Sequence, residues 1–486
     1  MTLGNLGVVG LAIYLLLLVA IAVVARRARR DATSGDHFLA GRELGVFVLF
    51  LTLYATAYSG NSLLGYPGEA YRRGFSWVMS VGFMLSIIVC FHLLAPKLRP
   101  LAMAGGFVTP GDWVRHRFEG QPGGAALRLG VAALMMVALA NFLFAQLKAM
   151  GVLTAQVTAG LVPYEAGVVV LAAMILFYET LGGMRAVAWT DAVQGILMLV
   201  GLAALLAWVL GETGGLAALT RDIAAVRPEV LRVPDVAERF NWASTVVLLG
   251  VASVIYPQAI QRIYAAKSGV ALRRAFAFMS FMPLSTTLVV LLIGLAAIPR
   301  FGSLGVVEAD RVMPLLLNAW AESGTAALFA AAIVFLGALA AIMSTADSVL
   351  LSLGSIAADD LGPRRRSGAD AALGKRIAAA VMIAMAVVAL VARDVTLWGV
   401  IELKMELLIQ CAPAFLLAIH WSRLRADATF AGLVVGCVVV VAGVFLEAKR
   451  LGGVHIGVIG LAVNLAIAWL GSLRRAPLPP APELAR

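Results

Sequence analysis

The run Ala55-Thr56-Ala57-Tyr58-Ser59-Gly60-Asn61-Ser62-Leu63-Leu64-Gly65-Tyr66-Pro67-Gly68 places hydroxyls, an amide and glycines inside an apolar stretch of membrane length. A helix interrupted at bilayer depth leaves backbone groups without partners, and hydrocarbon tolerates that only where they meet protein, water or a bound ligand. The break therefore suggests a transport site. A second interruption, Ser253-Val254-Ile255-Tyr256-Pro257-Gln258, falls in a later apolar stretch. Free amides near Gly60, Asn61 and Ser62, at the positive end of the following half-helix, suit an anionic group such as a carboxylate. Ser253 and Tyr256 are expected to face them.

Charged and amide residues inside apolar runs are the next candidates. Asp347 lies three residues beyond Ser344 and shares a helix face with Ser344 and Ser348. At about 1.5 Å per residue it sits roughly 18 Å along that helix from Asp359, which puts it at membrane depth. A carboxylate there is costly and is normally paired or functional. It could neutralise a second cation, carry a proton, or pair with a basic residue such as Arg185. Lys148 could meet a substrate carboxylate or snorkel towards the outer surface. Glu402 and Glu406, one turn apart, flank Lys404 and read as a solvated ion-pair cluster at an outer gate. Gln410, one turn deeper, is expected to line the cavity.

The elements that must position these residues follow from composition. Hydrophobic residues make up 62% of the 486 and charged residues 13%, well away from the roughly 45–50% and about 25% of a globular chain. The expectation is an all-α membrane protein. Stretches long enough to span the bilayer number thirteen: near 6–25, 44–66, 75–95, 128–155, 164–182, 188–210, 241–262, 275–298, 326–356, 376–393, 398–420, 428–446 and 454–472. With the N-terminus outside, 25 of the 38 Lys and Arg fall in inner loops and 12 in outer ones, so the N-terminus is expected outside and the C-terminus inside. The same bias accounts for the net charge of +11 without nucleic acid. Cys90, Cys411 and Cys437 lie in apolar runs as small hydrophobes. The five histidines are scattered and form no catalytic constellation, so an enzyme is not expected.

Setting the first segment aside, the two breaks fall in the first and sixth of ten helices, which run in opposite directions. Matched breaks are the sign of a 5+5 inverted repeat with its site at the midplane. The expected organisation is an extra helix in 1–30, one repeat over 38–210, the second over 211–423, two peripheral helices over 424–473 and a short cytoplasmic tail, 474–486. A solute sensor built on such a module would carry an appended signalling domain, which this short tail does not provide.

Four runs then resemble the sodium/solute symporter family: Phe38-Leu39-Ala40-Gly41-Arg42, Gly182-Gly183-Met184-Arg185-Ala186-Val187-Ala188-Trp189-Thr190-Asp191-Ala192-Val193-Gln194-Gly195, Pro257-Gln258-Ala259-Ile260-Gln261-Arg262 and Ala340-Ala341-Ile342-Met343-Ser344-Thr345-Ala346-Asp347. The resemblance covers about Phe38 to Asp360. It implies the leucine-transporter fold, location in a bacterial-type cytoplasmic membrane, no cofactor, and sodium as coupling ion for a small anionic or zwitterionic organic solute. Carried over by motif, it implies a sodium site of the Ala55, Tyr58 and Ala341 carbonyls with the Ser344 and Thr345 hydroxyls. A hard cation takes oxygen ligands of this kind. Asp191, Asp347 and Ser348 fall at a possible second-ion or exit path, where Asp347 replaces a hydroxyl of some relatives. Ser59, Gly60, Asn61, Ser62, Gln146, Ser253, Tyr256 and Gln410 are the substrate-binding candidates. Ser253 stands where proline permeases carry an aromatic, and the short strings look most like the monocarboxylate-permease branch. Proline-like amino acids, pantothenate and proton coupling stay open as alternatives.

Overall fold

The computed structural model describes residues 2–27, 38–361 and 369–473. The expected tail 474–486 and the basic stretch 28–37 lie outside the described residues, as does the side chain of Arg185. Among the described residues, nine helices are long and apolar enough to cross a membrane, and a bent pair, Val236–Val254 with Pro257–Ala265, makes a tenth.

The first interrupted segment begins as a helix over Val46–Ala57 and leaves helical geometry at Tyr58, whose φ and ψ are −103° and 89°. It resumes through a wider π-type turn over Asn61–Gly65 into a helix over Tyr66–Arg73. Only glycine fits at position 60, because a Cβ there would lie 2.7 Å from the Ala149 Cβ. The second interrupted segment is launched by a capping box, with the Glu238 amide donating to Asp235 Oδ1 at 2.8 Å. It turns at Tyr256, held extended (φ −55°, ψ 127°) by the proline that follows, and continues at 51° to its first half.

Two long helical stretches double back on themselves. Arg42, which precedes the first broken helix, donates to the Ala102 carbonyl at 3.2 Å, so the helix Met79–Gly105 returns to the end from which Val46–Ala57 started. Tyr164–Thr213 is helical throughout its backbone, yet Gly167 packs on Thr154 while Trp208 stacks on Trp320 at 5.8 Å. Asn318, one half-turn before Trp320, donates to the carbonyl of Gln156 at 3.1 Å, so both ends meet the same layer. Forty-one residues of straight helix would separate them by about 60 Å. The chain therefore reverses between them.

The helix Thr325–Asp359 is the central post, buried on every side from Gly337 to Ala358. The N-terminal helix Leu3–Arg27 packs on the rim, where Gln194 donates to the Tyr14 hydroxyl at 2.7 Å. One departure from an all-helical reading is a two-residue hairpin, Arg450–Leu451 with Val454–His455. Its turn is Gly452-Gly453, both at positive φ (58° and 87°), the backbone that a tight hairpin demands.

Candidate functional site

The break in the first interrupted helix lies directly against the central post. Thr345 Oγ1 is 3.3 Å from the Ala55 carbonyl and 3.2 Å from that of Ala341, so one hydroxyl ties the broken helix to the post. Ser344, its neighbour, donates to the Asp191 carboxylate. Carbonyls, hydroxyls and a carboxylate converge here, all hard oxygen donors and all buried. That donor set fits a sodium ion.

Asp191, expected at a second-ion or exit path, lies fully buried against the central post. It accepts hydrogen bonds from Thr52, Ser344 and, at 3.1 Å, Arg262 Nη2, and the ion pair is fully buried on both sides. Arg262 uses every nitrogen, with Nε donating to Thr52 Oγ1 at 2.9 Å, Nη1 to the Gln258 carbonyl at 3.0 Å and Nη2 to Ser348 Oγ at 2.6 Å. Ser348 reaches Asp347 Oδ1 at 3.3 Å. Asp191, Asp347 and Ser348 thus form one layer with the serine-threonine couple. Breaking such a buried pair would leave an uncompensated charge, which is far costlier than the pair itself.

A cavity of about 70 Å³ opens between the two breaks. Ser59, Asn61, Ser62, Ser253 and Tyr256 line it with Tyr58, Tyr66 and Thr56, and Leu53, Ile88, Phe91 and Leu249 give it apolar walls. Three expectations are corrected here. Gln410 does not reach the cavity; its amide donates to the Glu406 and Gly457 carbonyls, at 3.1 and 2.9 Å, and braces the helix Ile456–Leu473. Gln146 sits behind the break, where its Oε1 accepts from the Gly60 amide at 2.9 Å. Two of the expected amides are not free: Gly60 donates to Gln146, and the Ser62 amide donates to the Ser59 carbonyl at 2.9 Å.

The cluster of Glu402, Lys404 and Glu406 is corrected too. Glu402 pairs with Arg450, and Glu406 lies 3.1 Å from His455 Nδ1, both towards the hairpin. Lys404 projects from the opposite side of the helix Leu397–Leu408 into the cavity. Sequence reasoning missed it, although the signal was present: residues four apart share a helix face and residues two apart do not. Lys148 is settled by its partners. Its ammonium donates to the Arg393 carbonyl, at 2.6 Å, and to that of Val395, which fastens the loop before the helix Leu397–Leu408.

Polar clasps lie at the far ends of the broken helices. At the end of Tyr66–Arg73, Glu69 pairs with Arg72 and Arg73, and Asp310 accepts from the Leu397 amide at 2.9 Å. Before the start of Val46–Ala57, Leu44 pairs with Ala266, and Arg42 donates to the Phe107 carbonyl at 2.8 Å. There too, Thr109 donates to Asp360 at 3.0 Å.

The sequence model of the sodium:solute symporter family matches residues 37–436. Among curated proteins, the chain is 26% identical to the sodium/pantothenate symporter of Escherichia coli over 484 residues, 97% of each chain. It is 28% identical to the high-affinity proline transporter PutP of Bacillus subtilis, covering 85% of this chain and 87% of the relative. In shape it is similar to a sodium-coupled sialic acid symporter solved in a substrate-bound outward-open state, with a TM-score of 0.77 at 17% identity, over 97% of this chain and 98% of the other. It also resembles MhsT in complex with L-phenylalanine, with a TM-score of 0.53 at 13% identity, over 87% of this chain and 98% of that one.

Proposed function

The chain belongs to the sodium:solute symporter family, and on that premise we propose that it imports a small monocarboxylate together with sodium by alternating access. Its coarse identity, a multi-pass sodium-coupled solute symporter, comes with the family. The finer reading is supported above all by Thr345, whose hydroxyl bridges the Ala55 and Ala341 carbonyls. A sodium ion taking over those oxygens, with those of Tyr58 and Ser344, would order the break before solute binds. Asp191, Asp347 and Ser348 provide the path by which it leaves, or a second cation place.

The solute would occupy the cavity between the breaks. Its apolar walls, its hydroxyls and the lack of any Asp or Glu among its lining residues favour a net anion over a zwitterion. The similarity to proline and pantothenate symporters favours the second reading, an amino-acid or pantothenate substrate. For topology we infer thirteen spans, N-terminus outside, C-terminus inside, in a bacterial cytoplasmic membrane, and a repeat boundary between 38–210 and 211–423. The two doubled-back stretches supply the spans that length alone undercounts. Import would require the Leu44–Ala266 pairing and the Arg42 clasp to part.

Coupling needs sodium to favour the solute-binding conformation, and a factor of 100 corresponds to about 2.7 kcal/mol. Uptake of labelled lactate, pyruvate, acetate, proline and pantothenate into proteoliposomes, each with and without an inward sodium gradient, tests the whole. Accumulation of a monocarboxylate on the gradient is expected; accumulation of proline or pantothenate alone selects the second reading.

A further inference from the structure

Among the described residues, Lys404 is the one charged side chain that lines the central cavity. It is 2% exposed. Its Nζ lies 3.0 Å from the centroid of the Phe142 ring and 5.3 Å from that of Tyr256, and the two rings stack with centroids 5.5 Å apart. Among the described residues it makes no hydrogen bond or ion pair. The acids nearest to it in sequence are turned away, Glu402 to Arg450 and Glu406 to His455.

An ammonium removed from water requires a counter-charge or several acceptors, and aromatic faces replace only part of what hydration gave. An intramembrane cation of this kind is held for something that passes by. A second polar atom waits in the same cavity: Asn61 Oδ1 is buried without a hydrogen-bond partner. Everything else around them is apolar or a hydroxyl.

We propose that Lys404 is the counter-charge for the carboxylate of the transported solute and thereby the residue that selects its charge. In the empty cavity the ammonium rests on Phe142, and the incoming carboxylate draws it into an ion pair shielded by the two rings. Asn61 accepts from a donor group next to that carboxylate, which makes a 2-hydroxy acid the best-matched member of the class. The hydrocarbon part lies against Leu53, Ile88, Phe91 and Leu249. This assignment rests on the reading of the cavity as the solute site.

The test is sodium-driven uptake by wild type, Lys404→Gln and Lys404→Arg, with L-lactate as substrate and its neutral amide and proline as competitors. Sodium binding, followed by intrinsic fluorescence, checks that each variant is folded. Truncating one partner of a buried charge pair should raise the KM for lactate in Lys404→Gln by at least about thirty-fold, with the half-saturating sodium concentration unchanged. Lys404→Arg keeps the KM within about tenfold, since the charge is kept and only its geometry changes. The amide competes poorly with wild type and no worse with Lys404→Gln. A lactate KM that stays within about threefold in Lys404→Gln, on a scale where tenfold is about 1.4 kcal/mol, overturns the assignment while leaving sodium-coupled monocarboxylate import intact. A wild type that carries proline or pantothenate but no monocarboxylate overturns the substrate reading instead. The pairing is then decided by the KM of that solute in the same two variants.

Discussion

Two polar regions lie a few turns apart in this protein and are finished to different degrees. Around Asp191 and Arg262 each nitrogen of the guanidinium has an acceptor and the carboxylate takes three donors. Around Lys404 and Asn61 polar atoms face the cavity with nothing to hold. A satisfied buried network rigidifies the elements it joins, whereas unsatisfied buried groups are tolerated where a ligand completes them. The first region holds the broken helix, the post and the second broken helix in register; on the function proposed above it serves the ion, and the second region the cargo.

The sharpest way to break this contrast is to spoil the finished region. Arg262→Met leaves Asp191 buried without its cation, which should cost about 3–5 kcal/mol of stability. We expect a large fall in folded yield and no sodium-driven uptake. The double variant Arg262→Met with Asp191→Asn should recover most of the yield but not the coupling. Recovery of coupled uptake would mean that the pair is scaffold alone.

Gly60→Ala probes the boundary between the regions, because the added Cβ would lie 2.7 Å from the Ala149 Cβ and 3.1 Å from Gln146 Oε1. Overpacking of this kind costs about 1–3 kcal/mol, and shifting the break should weaken sodium and solute binding together. A change in only one of the two affinities would show that the break is not shared.

Gln410→Met is the complementary control. Its side chain braces the peripheral helices and does not touch the cavity, so thermal stability should fall by about 1–3 kcal/mol while the solute KM stays within about twofold.

Smaller still is the effect of pH at the Thr109–Asp360 contact. Burial raises the Asp360 carboxyl from 3.8 to about 7, against the hydrogen bond from Thr109, which lowers it. The folded protein therefore keeps this proton where the unfolded chain has lost it. Between about pH 4 and pH 7 the folded state binds more protons than the unfolded one, so stability declines as pH rises through that window. Melting curves from pH 5 to pH 8 should show a fall of a few degrees in wild type and a flatter profile in Asp360→Asn.

How much of this was legible in the chain differs between the same two regions. The breaks announced themselves through Ser59-Gly60-Asn61-Ser62 and Tyr256-Pro257, because local backbone chemistry fixes where a helix must stop. The couple Ser344-Thr345 and the nearby Asp347 were visible as polar residues in an apolar run. The ring of contacts around Asp191 was not, since which faces of three distant helices meet is decided by packing rather than by spacing. Gln146 and Gln410 both read as substrate-binding candidates, because an amide in an apolar helix must bond to something, and sequence does not say on which side. Lys404 was the readable miss. Its offset of two from both Glu402 and Glu406 turns it to the opposite face, and once the acids belong to the outer surface the lysine must point inwards.

The central claim is that an ion lodged beside the break, on oxygens gathered by Thr345, powers uptake. Calorimetric titration of sodium into purified wild type and into Ser344→Ala with Thr345→Ala tests it most directly, with potassium as the control cation. We predict saturable, sodium-selective binding in wild type and a loss of affinity of at least about tenfold in the double variant. Equal sodium affinity in both proteins would contradict it.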